Sequence, residues 1–172
     1  MSKKVLIANR GEISLRAIRA CKELGLKTVC IYSEGDKELK SLRFSDESVC
    51  VGPADPTKSY LDAPTILSAA DVTGSDAIYP GYGFLAEDHS FAEQCNLSGF
   101  KFIGPSSETI RQMGDKITAK SIVTKYGIDG VPGFDNELPD NEQEILKIAD
   151  EIGYPLIAVS YTHLTLPTKE EV

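Results

Sequence analysis

Apolar and polar positions along the chain exchange between two textures. Val5 to Ala8 is a short unbroken apolar run, which suits a strand buried on both faces. From Glu12 the spacing turns helical: Ile13, Ala17, Ala20, Cys21 and Leu24 share one face, while Arg16, Arg19, Lys22 and Glu23 look outward and Gly25 closes the segment. The exchange repeats downstream. KTVCIY (27–32), ESVCVG (47–52), DAIYP (76–80) and FKFIG (100–104) read as further strands. Between them the pattern predicts a polar helix around Asp36 to Phe44, a helix from about Tyr60 to Asp71, and another near Ser90 to Leu97. Five buried strands separated by helices predict an α/β fold with a doubly wound parallel sheet, because parallel neighbours need a crossover, usually helical, between them.

After Gly104 the texture changes. PSSETIRQMGDKITAKSIVTKYG reads as two helices broken at Met113-Gly114, with Asp115 as N-cap of the second. VPGFDNELPD (131–140), rich in turn formers, reads as a linker. NEQEILKIADEIG (141–153) predicts a last helix, and YPLIA (154–158) the start of another buried strand. The expected organisation is a first domain over 1–114, helices and the opening of a second domain over 115–158, and a tail over 159–172. No internal repeat or low-complexity tract is evident.

Composition narrows the function classes. The 172 residues are 41% hydrophobic and 26% charged, enough for one good core. A net charge of -8 argues against a nucleic-acid partner, whose affinity draws on clustered Lys and Arg. No apolar run approaches the length of a bilayer span, and MSKKVLIANR passes directly into a strand pattern without a signal-peptide core, so no membrane association and a cytoplasmic location are expected. Cys21, Cys30, Cys50 and Cys95 lie far apart with no Cys-x-x-Cys pair, and are expected as buried reduced thiols.

Three stretches carry candidate chemistry. LIANRGEI has the strand, turn and helix start of a dinucleotide site, but of that fingerprint's glycines only Gly11 is present, which favours a plain fold-forming turn. YPGYGFLAED follows the fourth strand, at the carboxyl end of the sheet where ligands collect. Gly81 and Gly83 leave the backbone around Tyr82 bare, with Glu87 and Asp88 nearby; a tight loop with a solvated acidic rim is the alternative. In MGDK, Lys116 falls in the first turn of a helix, where the dipole disfavours a cation; it either grips an anion or is merely exposed.

KKVLIANRGEISLRAIRACKELGLKTVCIYS, DESVCVGPA, KSYLDAPTILSAA, IYPGYGFLAED, GFKFIGPSSETIRQMGDK and EIGYP, in that order, resemble the amino-terminal part of biotin carboxylases, the ATP-dependent components of acetyl-CoA carboxylase and of the related pyruvate, propionyl-CoA and methylcrotonyl-CoA carboxylases. The likeness runs from Lys3 to about Ile157, and the bacterial-style start favours the acetyl-CoA carboxylase component, serving malonyl-CoA and fatty-acid synthesis. The resemblance implies a Rossmann-like domain preceding an ATP-grasp domain, and an enzyme that uses ATP and Mg2+ or Mn2+ to activate bicarbonate and carboxylate biotin on a carrier protein, forming a C–N bond. Implied partners are the biotin carboxyl carrier protein and a carboxyltransferase, with homodimerisation of the complete enzyme. On this chain Lys116 matches a lysine that reaches the nucleotide phosphates. Gly81, Tyr82, Gly83 and Glu87 match a loop on the biotin side, with no proton-transfer role assigned to Glu87. Arg16, Arg19 and Glu23 match the dimer surface, for which a solvated charged face is the alternative. No metal ligand is assigned. A free-standing nucleotide-binding or dimerisation module is the competing reading.

The resemblance stops abruptly. Val159 stands where the family has a second ATP-binding lysine, and no glycine follows where a glycine-rich lid is expected. VSYTHLTLPT instead resembles a reading frame of a transposase adapter used in sequencing libraries, so 159–172 is expected to be a non-native tail and His163 to carry no functional weight. A natural terminus with an alternating strand pattern is the other reading. With a second phosphate-binding lysine and the lid missing, the polypeptide alone is expected to bind ATP weakly and to lack carboxylase activity.

Overall fold

The computed structural model describes residues 4–128, 133–134 and 138–157, with the Lys116 side chain excepted. Contacts divide the chain into two units, Met1–Asp115 and Lys116–Val172. The first contains strands β1 (Lys4–Ile7), β2 (Lys27–Tyr32), β3 (Glu47–Cys50), β4 (Ala77–Tyr79) and β5 (Lys101–Phe102). Its helices are α1 (Gly11–Glu23), α2 (Lys40–Phe44), α3 (Ala63–Val72), α4 (His89–Leu97) and α5 (Ser107–Gly114). The strands form one parallel sheet in the order β3-β2-β1-β4-β5. After β3 the chain crosses back over β1 and lays β4 on its other side. The crossovers leaving β1 and β4 therefore diverge, which creates the crevice where open α/β sheets bind ligands.

Alternation along the central strands sends side chains to two separate cores. Leu6, Val29, Ile31 and Ile78 face a large cluster with Ile66 of α3, Phe91 and Cys95 of α4, and Phe102. Ile7 and Cys30 face the opposite way and pack under Ala17 and Ile18 of α1. A sheet covered on both faces explains why β1 and β2 read as nearly unbroken apolar runs.

Several expectations need correction. The buried stripe of α1 is Ser14, Ala17 and Ile18, not the face through Ala20 and Leu24; Ala20 is exposed and Leu24 is 74% exposed. Ile18 fills the space over Ile7 and Cys30, and the small Ser14 and Ala17 admit the helix close to the sheet, which turns Ile13, Ala20 and Leu24 toward the flank. β3 is an edge strand with mostly exposed residues. Cys50 lies on that edge and is exposed, and Cys21 is half-buried, so only Cys30 and Cys95 are the buried thiols expected; all four are free. Burial pushes Cys95 up to about 12, an unreactive thiol.

α5 is capped by Ser106, whose hydroxyl accepts from the Thr109 amide. In the second unit, α6 (Lys116–Lys125) begins directly after Asp115, whose backbone is extended, and α7 (Glu142–Ile152) is capped by Asn141 accepting from the Gln143 amide. The described residues of the expected linker, 133–134 and 138–140, carry neither helix nor strand. Residues 154–157 form no strand, and Tyr154 and Ile157 are 65% and 88% exposed, against the expected buried strand; Ala158 and the 159–172 tail lie outside the described residues. Among the described residues of this unit there is no other strand to pair with them.

The β2–β3 edge is pinned by Asp46, whose carboxylate accepts from the Thr28 hydroxyl at 2.8 Å and amide at 2.9 Å. Those two bonds, with Lys27 at 3.2 Å, hold the Asp46 carboxyl down at about 2. A folded pKa below the unfolded one contributes stability that is complete above pH 4 and lost as pH falls through about 2. The carboxylate is partly solvated, so Asp46→Asn is expected to cost about 1 kcal/mol at neutral pH. Denaturant melts should show wild type and variant converging near pH 2; a gap that persists at that pH contradicts this role.

Candidate functional site

β1 runs directly into Asn9, a fully buried polar residue at the divergence of the sheet. Its carboxamide nitrogen donates to the Pro80 carbonyl at 2.7 Å and to the Tyr82 carbonyl at 2.9 Å, and its oxygen accepts from the Arg10 amide at 2.8 Å. One side chain thus ties the loop after β1 to the loop after β4. Asparagine suits this place because two donors and an acceptor are needed together, and aspartate has no donor when ionised.

The loop after β4 is built around that contact. Gly81 has φ +72, and a Cβ there would sit 2.7 Å from Ile13 Cγ2 and 2.9 Å from Asn9 Nδ2. Gly83 has φ +65, and Phe84, unusually for a bulky residue, has φ +44. A 3-10 turn, Phe84–Glu87, follows. Together the loop and the start of α1 line an open groove of about 400 Å³ bounded by Arg10, Glu12 and Ile13 on one side and Tyr82, Gly83 and Phe84 on the other. Tyr82 is 65% exposed, and its hydroxyl donates to Glu12 Oε1 at 3.1 Å across the groove. That hydrogen bond to a carboxylate raises the Tyr82 hydroxyl above its ordinary value.

Behind the groove lies a second polar cluster. Asp36 accepts from the Tyr60 hydroxyl at 2.7 Å, from Arg10 Nη1 at 3.2 Å and from the Ser33 hydroxyl at 3.2 Å. Burial opposes ionisation of Asp36, but these donors outweigh it and hold the carboxyl below its ordinary value. Tyr60 is fully buried and its hydroxyl also accepts from the Ser33 amide; burial first, and the bond to Asp36 second, push it up to about 12.

Tyr82 and Gly83 line the groove, and Gly81 lies beside them, packed against Asn9 and Ile13. Glu87 ends the 3-10 turn and is exposed, outside the groove lining. Asp88, a carboxylate suggested for the same rim, caps α4 by accepting from the Ser90 and Phe91 amides. Arg16, Arg19 and Glu23 form an exposed face of α1 and do not line the groove. Lys116 is the first residue of α6, in the second unit; its side chain, like His163, lies outside the described residues. The pattern reading missed Asn9, Arg10 and Glu12. The available signal was a polar Asn continuing a buried strand run, followed by an Arg where a helix start usually has Ser, Thr or Asp. Among the described residues no group of three or more His, Cys, Asp or Glu could hold a metal ion, and no helix is long and apolar enough to cross a membrane.

A parallel sheet whose first and fourth crossovers part around a glycine-lined groove is a Rossmann-like arrangement, with the groove where open α/β sheets generally bind ligands. The family described as "Biotin carboxylase, N-terminal domain" matches residues 1–110. The biotin carboxylase of Pseudomonas aeruginosa is 59% identical over 157 residues, covering 91% of this chain and 35% of that protein. A pyruvate carboxylase component from Methanothermobacter thermautotrophicus is 48% identical over 157 residues, covering 91% of this chain and 32% of that one. Among solved structures, the biotin carboxylase domain dimer of the Hydrogenobacter thermophilus 2-oxoglutarate carboxylase, in complex with MgADP, ADP and bicarbonate, superposes with a TM-score of 0.84 at 47% identity, covering 90% of this chain and 34% of that one. The chain belongs to the biotin carboxylase N-terminal domain family, and it spans about a third of the length of the Pseudomonas and Methanothermobacter relatives.

The geometry predicts two sensitive positions. Gly81→Ala places a Cβ against Ile13 and Asn9 in a left-handed backbone, with an expected cost of at least about 2 kcal/mol. Asn9→Ala strands the buried Pro80 carbonyl and frees the part-buried Tyr82 carbonyl, at about 2 kcal/mol. Urea melts of both variants check these values, and wild-type midpoints for either would refute the staple.

Proposed function

We propose that this domain forms one wall of the active site of an ATP-dependent biotin carboxylase, an enzyme that uses ATP and bicarbonate to carboxylate biotin on a carrier protein. The observation that carries the reading is the Gly81-Tyr82-Gly83 loop at the sheet's switch point, in a chain of this family. The groove suits a small heterocycle such as the planar ureido ring of biotin: its backbone is bare at Gly83 and an exposed aromatic ring borders it. Tyr82 and the glycines orient that ring, and Glu87 takes no part in proton transfer.

Lys116 supplies a cation to the nucleotide phosphates, a role supported by the 157-residue likeness to the P. aeruginosa biotin carboxylase, which extends past α5. ATP supplies the phosphoryl group that activates bicarbonate, with Mg2+ or Mn2+ neutralising its phosphates; no ligand to that ion is assigned to this chain. Arg16, Arg19 and Glu23, exposed along α1 beside Ala20 and Leu24, serve as a homodimer surface in the complete enzyme, whose partners are the carrier protein and a carboxyltransferase. We assign the enzyme to the cytoplasm and, first, to acetyl-CoA carboxylase and malonyl-CoA supply. The similarity to a pyruvate carboxylase component keeps a keto-acid acceptor as a second reading.

The test is a chimera in which residues 1–157 replace the matching segment of the P. aeruginosa biotin carboxylase. It should hydrolyse ATP in a biotin- and bicarbonate-dependent manner, and Lys116→Ala should weaken ATP binding about 10- to 100-fold, the contribution of one charge-assisted hydrogen bond. A folded chimera that binds ATP but shows no biotin-dependent hydrolysis contradicts the proposal.

A further inference from the structure

The loop that presents Tyr82 is held in a costly conformation by Arg10 and Phe84, which border the groove, and by Asp36 and Tyr60, which do not line it. Phe84 has φ +44, a backbone state that bulky residues rarely adopt and that persists only when its surroundings over-determine it. Its ring stacks on Tyr60, with centroids 5.3 Å apart and planes at 21°. The Arg10 guanidinium lies 5.5 Å from the Tyr60 ring centroid and 5.7 Å from that of Phe84, and its Nη1 reaches Asp36 at 3.2 Å. Arg10, Asp36, Tyr60 and Phe84 come from the segments following β1, β2, β3 and β4 in turn. One cation therefore joins four crossovers at the carboxyl edge of the sheet.

We infer that Arg10 is a positioning residue: clamped by Asp36 and spread over the Tyr60 and Phe84 rings, it holds the Gly81–Phe84 loop in its left-handed form and so sets how Tyr82 meets the ligand in the groove. Only a planar guanidinium can lie against two rings while hydrogen-bonding in its own plane; a lysine ammonium keeps the charge and loses the plane. The identity of the ligand as biotin rests on the proposed function, whereas the loop-holding role does not.

Amide exchange in the whole 172-residue chain tests the loop directly. The Ala86 amide donates to the Gly83 carbonyl and the Asp88 amide to the Leu85 carbonyl, so both report on the loop. Arg10→Ala should speed their exchange by about tenfold or more and leave the amides of Leu6 and Val29 in the sheet unchanged, a local opening and not a global one. Arg10→Lys should recover part of the protection, and Asp36→Asn, which keeps the arginine but loses its anchor, should act in the same direction as Arg10→Ala. Unchanged loop exchange, or equal acceleration in loop and sheet, overturns the inference. In the carboxylase chimera, Arg10→Ala should raise KM for free biotin by about fivefold or more with KM for ATP within about twofold, a split that loss of folded enzyme does not produce. Equal changes in both constants overturn the inference as well. An inactive parent chimera would count against the family function, while the exchange result would still decide the role of Arg10.

Discussion

A parallel sheet that reverses its winding direction leaves two loops departing from adjacent strands in opposite senses, with backbone carbonyls turned toward a crevice and no ladder partner of their own. In this chain the carboxamide of Asn9 meets that need by bonding Pro80 and Tyr82 at once. Everything at the crevice depends on this contact. It brings the Gly81 backbone so near to Asn9 and Ile13 that no side chain fits, which leaves the loop bare, and a bare loop is what allows a ligand to approach main chain. It also fixes where Tyr82 emerges, exposed and hydrogen-bonded to Glu12 across the opening.

The arrangement behind the groove carries the strain that the front displays. Phe84 at positive φ is stabilised by stacking on buried Tyr60 and by the cation of Arg10, whose own charge is met by Asp36. Tyr60 donating to an ionised Asp36 accounts for two opposite shifts, the tyrosine upward and the aspartate downward, with burial resisting the charge on each. Tyr60 and Asp36 thus act from outside the groove lining, through Phe84 and Arg10, which belong to it. The phosphate-binding role proposed for Lys116 lies in the second unit, and biotin carboxylation as proposed requires both units together with the parts present in the longer relatives.

Much of the scaffold is legible in the amino-acid pattern. Strands buried on both faces announce themselves as unbroken apolar runs, and helices between them force parallel pairing, so five parallel strands followed from pattern, while their order in the sheet did not. The rotation of α1 did not. Its apolar residues wrap more than one face, and the choice of Ile18 over Leu24 is made by the hole between Ile7 and Cys30, which is a tertiary property. Edge exposure of β3 was hidden for the same reason, since ESVC reads the same at the rim as in the middle. At the site, glycines spaced around Tyr82 pointed to the loop because positive φ has a sequence signature. Asn9 and Arg10 gave only a polar pair at the end of a buried run, which does not name their partners, 71 residues away at Pro80 and 26 residues away at Asp36.

The groove exists as described only if the Asn9 carboxamide is held at the switch point. Nuclear magnetic resonance of the labelled chain can follow its two side-chain amide protons, each assigned to a carbonyl acceptor 2.7 or 2.9 Å away. The expected result is exchange with solvent as slow as that of the neighbouring β1 backbone amides, with cross-strand Overhauser contacts to Pro80, Gly81 and Tyr82. Side-chain protons exchanging at the rate of a solvent-exposed asparagine, with no contact to that loop, would contradict it.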